Sequence, residues 1–219
     1  MKKFSLLDGG ALAIWLLPVI YLFLIYGGLP PVVPVHYGLN GAVDRYGSKS
    51  EFLTTSAILM GASAFVYLLL KFLPAIDPKK KVRYGERTFQ KLGFGIVIFL
   101  AALNLCIMYA TVHRGFEVGK LIFPLAGLLF VFIGNVMNSI KPNYFAGVRT
   151  PWTLESEDNW RATHRLASRL WVSGGLVITV ITFILPAKPG TIIFMCGVAV
   201  LVLIPVTYSY IYFKKHRLN

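Results

Sequence analysis

Acidic residues are scarce in this chain: nine Asp and Glu stand against 22 Lys and Arg, and charged residues of both signs make up only 14% of its 219 positions. Cysteine is scarcer still. Cys106 and Cys196 both fall in apolar runs and form no CxxC pair, which excludes a disulfide framework and a thiolate metal centre. They read as small buried apolar side chains. HExxH, a serine nucleophile elbow and a phosphate-binding loop are absent as well, so no catalytic motif points to an enzyme and no cofactor is expected. Within the apolar runs Lys71 and Arg169 are the charged side chains, each close to an end of its run, and no charge lies at the middle of any run. Ion pumps and proton relays place charged partners inside the bilayer, so this lack argues against one. The chain also lacks an inverted repeat, a mark of many transporters, and the alternating ten-residue segments of a membrane barrel.

What is abundant is hydrocarbon. The sequence is 56% hydrophobic with a mean hydropathy of +0.67. Six runs approach the roughly 20 helical residues needed to cross about 30 Å of lipid: Gly10 to Gly28, Phe52 to Leu73, Leu92 to Val112, Leu121 to Met137, Leu166 to Leu185 and Thr191 to Phe213. Backbone amides find no partner in lipid, so these runs must be helices. The predicted fold is an all-α membrane protein, residues 1–219 forming one polytopic domain of six transmembrane helices. The first run follows Lys2 and Lys3 as a secretory signal would, but no small-residue cleavage pattern follows it, and it is expected to be retained. If both termini are cytoplasmic, seventeen of the 22 Lys and Arg residues lie on inner segments. That asymmetry fits the positive-inside rule and accounts for the net charge of +13 without nucleic acid, for which no phosphate-tracking surface is apparent.

The outer connection after helix 1, residues 29–51, is rich in Pro, Gly and Asn. Pro30, Pro31 and Pro34 predict an extended first half, and Asn40-Gly41 and Tyr46-Gly47 predict turns, together a structured extracytoplasmic loop. The basic turn around Lys79, Lys80, Lys81 and Arg83 reads as a topology anchor. Pro186 to Gly190 is a tight hairpin that makes helices five and six antiparallel neighbours. Asn104, Asn135 and Asn138 are costly against lipid and should face other helices. Gly174-Gly175 permits close helix approach.

Polar chemistry concentrates between helices four and five, residues 141–165. Ser156 is a predicted N-cap, with Glu157 and Asp158 complementing the positive helix end. Beyond it Trp160, His164, Ala167 and Trp171 share one helical face, and Arg161, Arg165 and Arg169 form a neighbouring stripe. The pattern predicts an interfacial helix with indoles at headgroup depth, Glu157 paired to Arg161, and anionic lipid headgroups as partners. Ahead of it, Asn143, Arg149, Thr150 and Trp152 lie on a turn-rich stretch held by Pro142 and Pro151, a setting suited to binding. A forked contact from Arg149 to a carboxylate or backbone carbonyls would make lysine a poor substitute there.

The run from Gly134 to Arg165, GNVMNSIKPNYFAGVRTPWTLESEDNWRATHR, resembles the signature of the SdpI family of bacterial membrane proteins, with its K-P-N, G-[IV]-R-T-P-W-T-L and E-x-x-W-x-x-T-H-R motifs. PVVPVHYGLNGAVDRYGSK is similar to the P-x-H-x-x-x-x-G-x-x-D-x-x-G segment of a small domain of unknown function often found ahead of that signature. The resemblance implies a multi-pass protein of the bacterial cytoplasmic membrane that confers immunity to a secreted antimicrobial peptide. It also implies that toxin engagement leads the protein to hold a cytoplasmic repressor at the membrane. On this reading His36, Asn40, Asp44 and Arg45 meet the peptide outside, while Asn143, Arg149, Thr150, Trp152, Trp160, His164 and Arg165 report to the partner inside.

Two other classes compete. A membrane-embedded enzyme would use His36 with Asp44, or Glu157 with His164, as an acid-base pair. The first requires the outer loop to fold back, and the second spans two helical turns, roughly 10 Å of rise. A transporter of peptide or lipid has room among six helices, with Pro18, Pro124 and Pro205 as sites of helix kinking.

Overall fold

The computed structural model describes residues 4–38, 41–76, 85–113 and 115–217. Six helices are long and apolar enough to cross a membrane. In chain order the elements are α1 (Leu6–Tyr26), β1 (Val32–Tyr37), β2 (Val43–Ser48), α2 (Lys49–Ile76), α3 (Glu86–Val112), α4 (Gly119–Met137), α5 (Pro151–Glu155), α6 (Glu157–Ile184) and α7 (Ala187–Arg217). The helical architecture agrees with the sequence. The extended outer loop proves to be an antiparallel β-hairpin, Val32 opposite Ser48 and Tyr37 opposite Val43. Tyr46-Gly47 is not a turn, because both residues pair across the hairpin with Pro34 and Val33. The turn carries Gly41, one of the residues expected there, at φ 73°, a left-handed conformation that costs glycine little.

Two groups of helices share the bundle. α3 packs against both α1 and α2, while α6 lies between α4 and α7, with α3 and α4 joining the groups. α4 and α6 share the most extensive contact, and small residues make their close approach possible: a Cβ on Gly175 would lie 2.8 Å from the Gly127 carbonyl oxygen, and one on Gly134 2.8 Å from the Trp171 Cβ. Such contact replaces the hydrophobic drive that lipid removes. α6 and α7 are antiparallel neighbours as expected, joined at Leu185-Pro186.

Buried side chains collect near the two ends. One cluster seats the hairpin, with Val33 against Phe52, Leu22 and Met108. The other, with Leu92, Met137, Ile140, Trp160 and Ala167, lies under the α4–α6 loop. Between them, Phe23, Phe65, Val180, Phe183 and Leu203 are exposed, the outward apolar surface that hydrocarbon would cover.

Asn104 is buried as foreseen, its amide reaching the Ser56 carbonyl at 3.5 Å. Three expectations for single residues fail. Asn135 and Asn138 are exposed, because they lie at and just beyond the last turn of α4 on its outward side. Cys106 is buried, but Cys196 is exposed on the outer side of α7. The basic turn at Lys79–Lys81 and Arg83 lies outside the described residues.

Candidate functional site

The α4–α6 loop is folded from its own side chains. Asn143, only 2% exposed, donates from Nδ2 to the Lys141 and Ala146 carbonyls at 2.8 and 3.1 Å and accepts at Oδ1 from the Phe145 and Ala146 amides at 2.7 and 2.8 Å. One amide side chain thereby replaces a turn of backbone hydrogen bonds. Thr150 caps α5 in a reciprocal pair with Thr153, with Pro151 at the first helical position. Its hydroxyl lies 3.1 Å from the Ser209 hydroxyl, tying the loop to α7. Asn159 adds a second tie, donating to the Ser209 carbonyl at 2.9 Å. Trp152 packs on Tyr210 with ring centroids 5.0 Å apart.

Trp160 and His164 form the centre. Both are 1% exposed, and their rings stack at 4.0 Å. The Trp160 Nε1 donates to the Ile140 carbonyl at 2.8 Å. The Val148 amide donates to the His164 Nε2 at 3.2 Å, which places the ring proton on Nδ1, 2.9 Å from the Trp160 carbonyl. The expected lipid-facing interfacial helix is therefore wrong for this face. The Trp160 indole is covered by the loop, while the neighbouring stripe of Arg161, Arg165 and Arg169 is exposed. The helix begins where predicted, with Ser156 accepting from the Asn159 amide at 3.2 Å. Glu157 pairs with Arg161 at 3.2 Å, the partner expected for it. Arg149 is exposed and bonds the Tyr144 carbonyl through one guanidinium nitrogen, with no fork.

Because the indole nitrogen satisfies a carbonyl in the core, Trp160→Phe is expected to destabilise the protein by about 1–3 kcal/mol, the cost of an unpaired buried acceptor. Trp160→Ala adds a cavity and is expected to cost about 3–5 kcal/mol. Unfolding of both variants in detergent checks this. A Phe variant as stable as the parent would leave ring area as the whole contribution.

At the other end of the bundle, the fold-back that the outer loop needed does occur. The His36 Nδ1 lies 2.6 Å from Asp44 Oδ1 across the hairpin, with both side chains more than half or half exposed at 63% and 50%. Arg45 pairs with Glu51 at the start of α2. Lys49 reaches the Tyr26 and Gly27 carbonyls at the end of α1, both at 3.4 Å. Asn40 lies outside the described residues. Beneath the hairpin is a cavity of about 300 Å³ lined by Val35, Tyr37, Phe52, Ser56, Asn104 and Ile122 among others. Burial pushes the Tyr37 phenol up from its ordinary value. The hairpin thus carries an exposed polar rim above an apolar hollow. Among the described residues no three His, Cys, Asp or Glu side chains gather as a metal site.

A third constellation escaped the sequence reading. Asp8 is 5% exposed in the first turns of α1. Its Oδ1 accepts from the Tyr67 hydroxyl at 2.7 Å, Lys71 at 2.8 Å and Gln90 at 3.2 Å, while Oδ2 accepts from the Ser5 amide and hydroxyl at 2.7 and 2.9 Å. The signal was Lys71 itself, since a cation placed within an apolar run needs a partner and Asp8 is one of few acids available.

Both loops lie within segments that known proteins share. Residues 139–209 match the model of the SdpI/YfhL protein family, and residues 13–61 match a domain of unknown function, DUF1648. The chain is 26% identical over 202 residues to the Immunity protein SdpI of Bacillus subtilis, covering 88% of each chain. It is 38% identical over 147 residues to an uncharacterized protein of Archaeoglobus fulgidus, covering 54% of this chain and 77% of that one. No solved structure matches it. With six apolar helices and with the matched segments taking in both the hairpin and the α4–α6 loop, the chain belongs to the SdpI/YfhL protein family of multi-pass membrane proteins.

Proposed function

We propose that this protein is a non-enzymatic immunity receptor of the bacterial cytoplasmic membrane that protects against a secreted antimicrobial peptide. The observation that carries the proposal is the likeness to an immunity protein over 88% of both chains, which includes the hairpin as well as the α4–α6 loop. With both termini in the cytoplasm, the cation asymmetry is satisfied and the hairpin faces outward. Its His36–Asp44 and Arg45–Glu51 pairs then form a polar rim over the hollow beneath, a surface able to engage an amphipathic peptide at the membrane. The α4–α6 loop faces inward, where the exposed Arg149 and Arg165 would meet a cytoplasmic repressor and hold it at the membrane. Transmission between the two ends requires two helix arrangements that the peptide favours unequally.

Expression in a susceptible bacterium, followed by challenge with a panel of Sdp-type secreted peptides, tests this reading. Protection against at least one peptide is expected, and Asp44→Ala, which opens the hairpin clasp, is expected to weaken it without loss of membrane insertion. Unchanged killing across the panel by a verified membrane-inserted protein overturns the proposal.

A further inference from the structure

The polar side chains of the α4–α6 loop divide sharply in direction. Asn143, Thr150, Thr153, Asn159, Thr163 and His164 are buried and hydrogen-bonded within the protein. Lys141, Arg161 and Arg165 are exposed, yet they do not scatter: all three line one cavity of about 360 Å³ between residues 138–142 and the first turns of α6. Asn138 lies at its rim, and the stacked Trp160 and His164 contribute to its wall. A volume of this size falls at the lower end of small-ligand pockets, about 300–1,000 Å³.

Cations outnumber acids among the side chains that line it. Among the described residues lining the cavity, Glu157 is the one acid against three cations, and it already lies 3.2 Å from Arg161. Arg161 and Arg165 are one helical turn apart, a spacing at which like charges repel. The buried aromatic stack behind them is a poor screen for that repulsion compared with water. An anion held between the three cations would relieve it.

The geometry points to a phosphate group as the natural occupant. We infer that Lys141, Arg161 and Arg165 form a binding site for a single phosphate, with the Asn138 amide as a neutral donor. Guanidinium forks match phosphate oxygens and the lysine ammonium adds a point charge. The depth also fits, because Arg165 immediately precedes Leu166, where the apolar run of α6 begins. Cationic pockets at such a boundary are suited to phospholipid headgroups, and free phosphate shares the same chemistry. The inference does not depend on the proposed immunity.

The test uses the full-length protein purified in a nonionic detergent. Native mass spectrometry with equimolar phosphatidylglycerol and phosphatidylcholine reads lipid retention, and thermal unfolding with added inorganic phosphate reads the soluble ligand. The parent is expected to retain phosphatidylglycerol preferentially. Lys141→Gln with Arg165→Gln is expected to reduce that preference by about tenfold or more, the loss carried by one or two charge-assisted hydrogen bonds. Arg87→Gln with Lys91→Gln removes the same charge from exposed positions in the first turns of α3, outside the cavity, and is expected to leave the preference intact. Stabilisation by inorganic phosphate that the first double variant abolishes, without lipid preference, assigns the site to soluble phosphate. Equal losses in both double variants, or no preference for either ligand in the parent, overturn the inference.

Discussion

Replacing Asp8 with asparagine is expected to destabilise the protein by about 3–5 kcal/mol, the usual cost of removing one partner from a buried ion pair. The carboxylate is 4% exposed at its side chain and the paired Lys71 is 15% exposed. Asparagine would keep the size of the side chain but turn one acceptor into an NH2 donor. That group would face either the Lys71 and Tyr67 donors on Oδ1 or the Ser5 amide on Oδ2. Either choice sets donors against each other and leaves an ammonium with its carboxylate gone, in a region where water screens poorly. The loss is global as well as local, because this cluster joins α1 to α2 and α3 through Tyr67, Lys71 and Gln90. A buried pair is often replaceable by apolar groups of similar volume, so Asp8→Asn combined with Lys71→Met is expected to recover most of the loss. The double-mutant cycle, read by unfolding in mixed micelles, isolates the coupling. If the single variant loses under about 1 kcal/mol, or Lys71→Met brings no recovery, the pair is not what fastens α1.

The same pair shows what a sequence reveals and what it hides. Six spans were legible because hydrocarbon thickness imposes a length and lipid forbids any backbone but a helix. Ser156 was legible because N-capping depends on neighbouring residues alone, and Gly175 because only a small residue lets two helix backbones meet. Asp8 was missed since it precedes the run counted from Gly10, although it belongs to α1, and its partner lies on another helix. Periodicity correctly grouped Trp160, His164, Ala167 and Trp171 on one face, yet it placed the indoles of that face at the headgroups and not under protein. A helix face reads alike whether hydrocarbon or protein covers it, and here residues 138–150 fold over it through the bonds from Trp160 and His164 to Ile140 and Val148. Of the seven residues predicted for this loop, Asn143, Thr150, Trp160 and His164 are buried in holding it together and Trp152 is half-buried against Tyr210, which leaves Arg149 and Arg165 at the surface for contact with partners. The pairing of His36 with Asp44 depended on hairpin register, which an irregular, proline-containing strand does not disclose.

Gly147→Ala is expected to be more damaging than its single methyl group suggests, with a loss above about 3 kcal/mol from combined backbone strain, overpacking and a broken hydrogen bond. Gly147 adopts φ 110°, where a side chain is strained whatever the space around it. Here there is no space either. An added Cβ would overlap the His164 Nε2, the atom that accepts from the Val148 amide. His164 has little freedom to retreat: it is 1% exposed, stacked on Trp160 at 4.0 Å and bonded to the Trp160 carbonyl, while Trp160 is itself held by the Ile140 carbonyl. The alanine must therefore lift the Gly147–Val148 backbone off α6, which exposes the aromatic stack. Gly115 is the matched control, since its φ is 92° but an added Cβ meets nothing within 4 Å. Gly115→Ala should show backbone strain alone, about 1–2 kcal/mol. Thermal unfolding of the two variants in one detergent separates strain from packing. Similar losses would reduce Gly147 to a matter of backbone conformation and show that the loop yields where it meets His164.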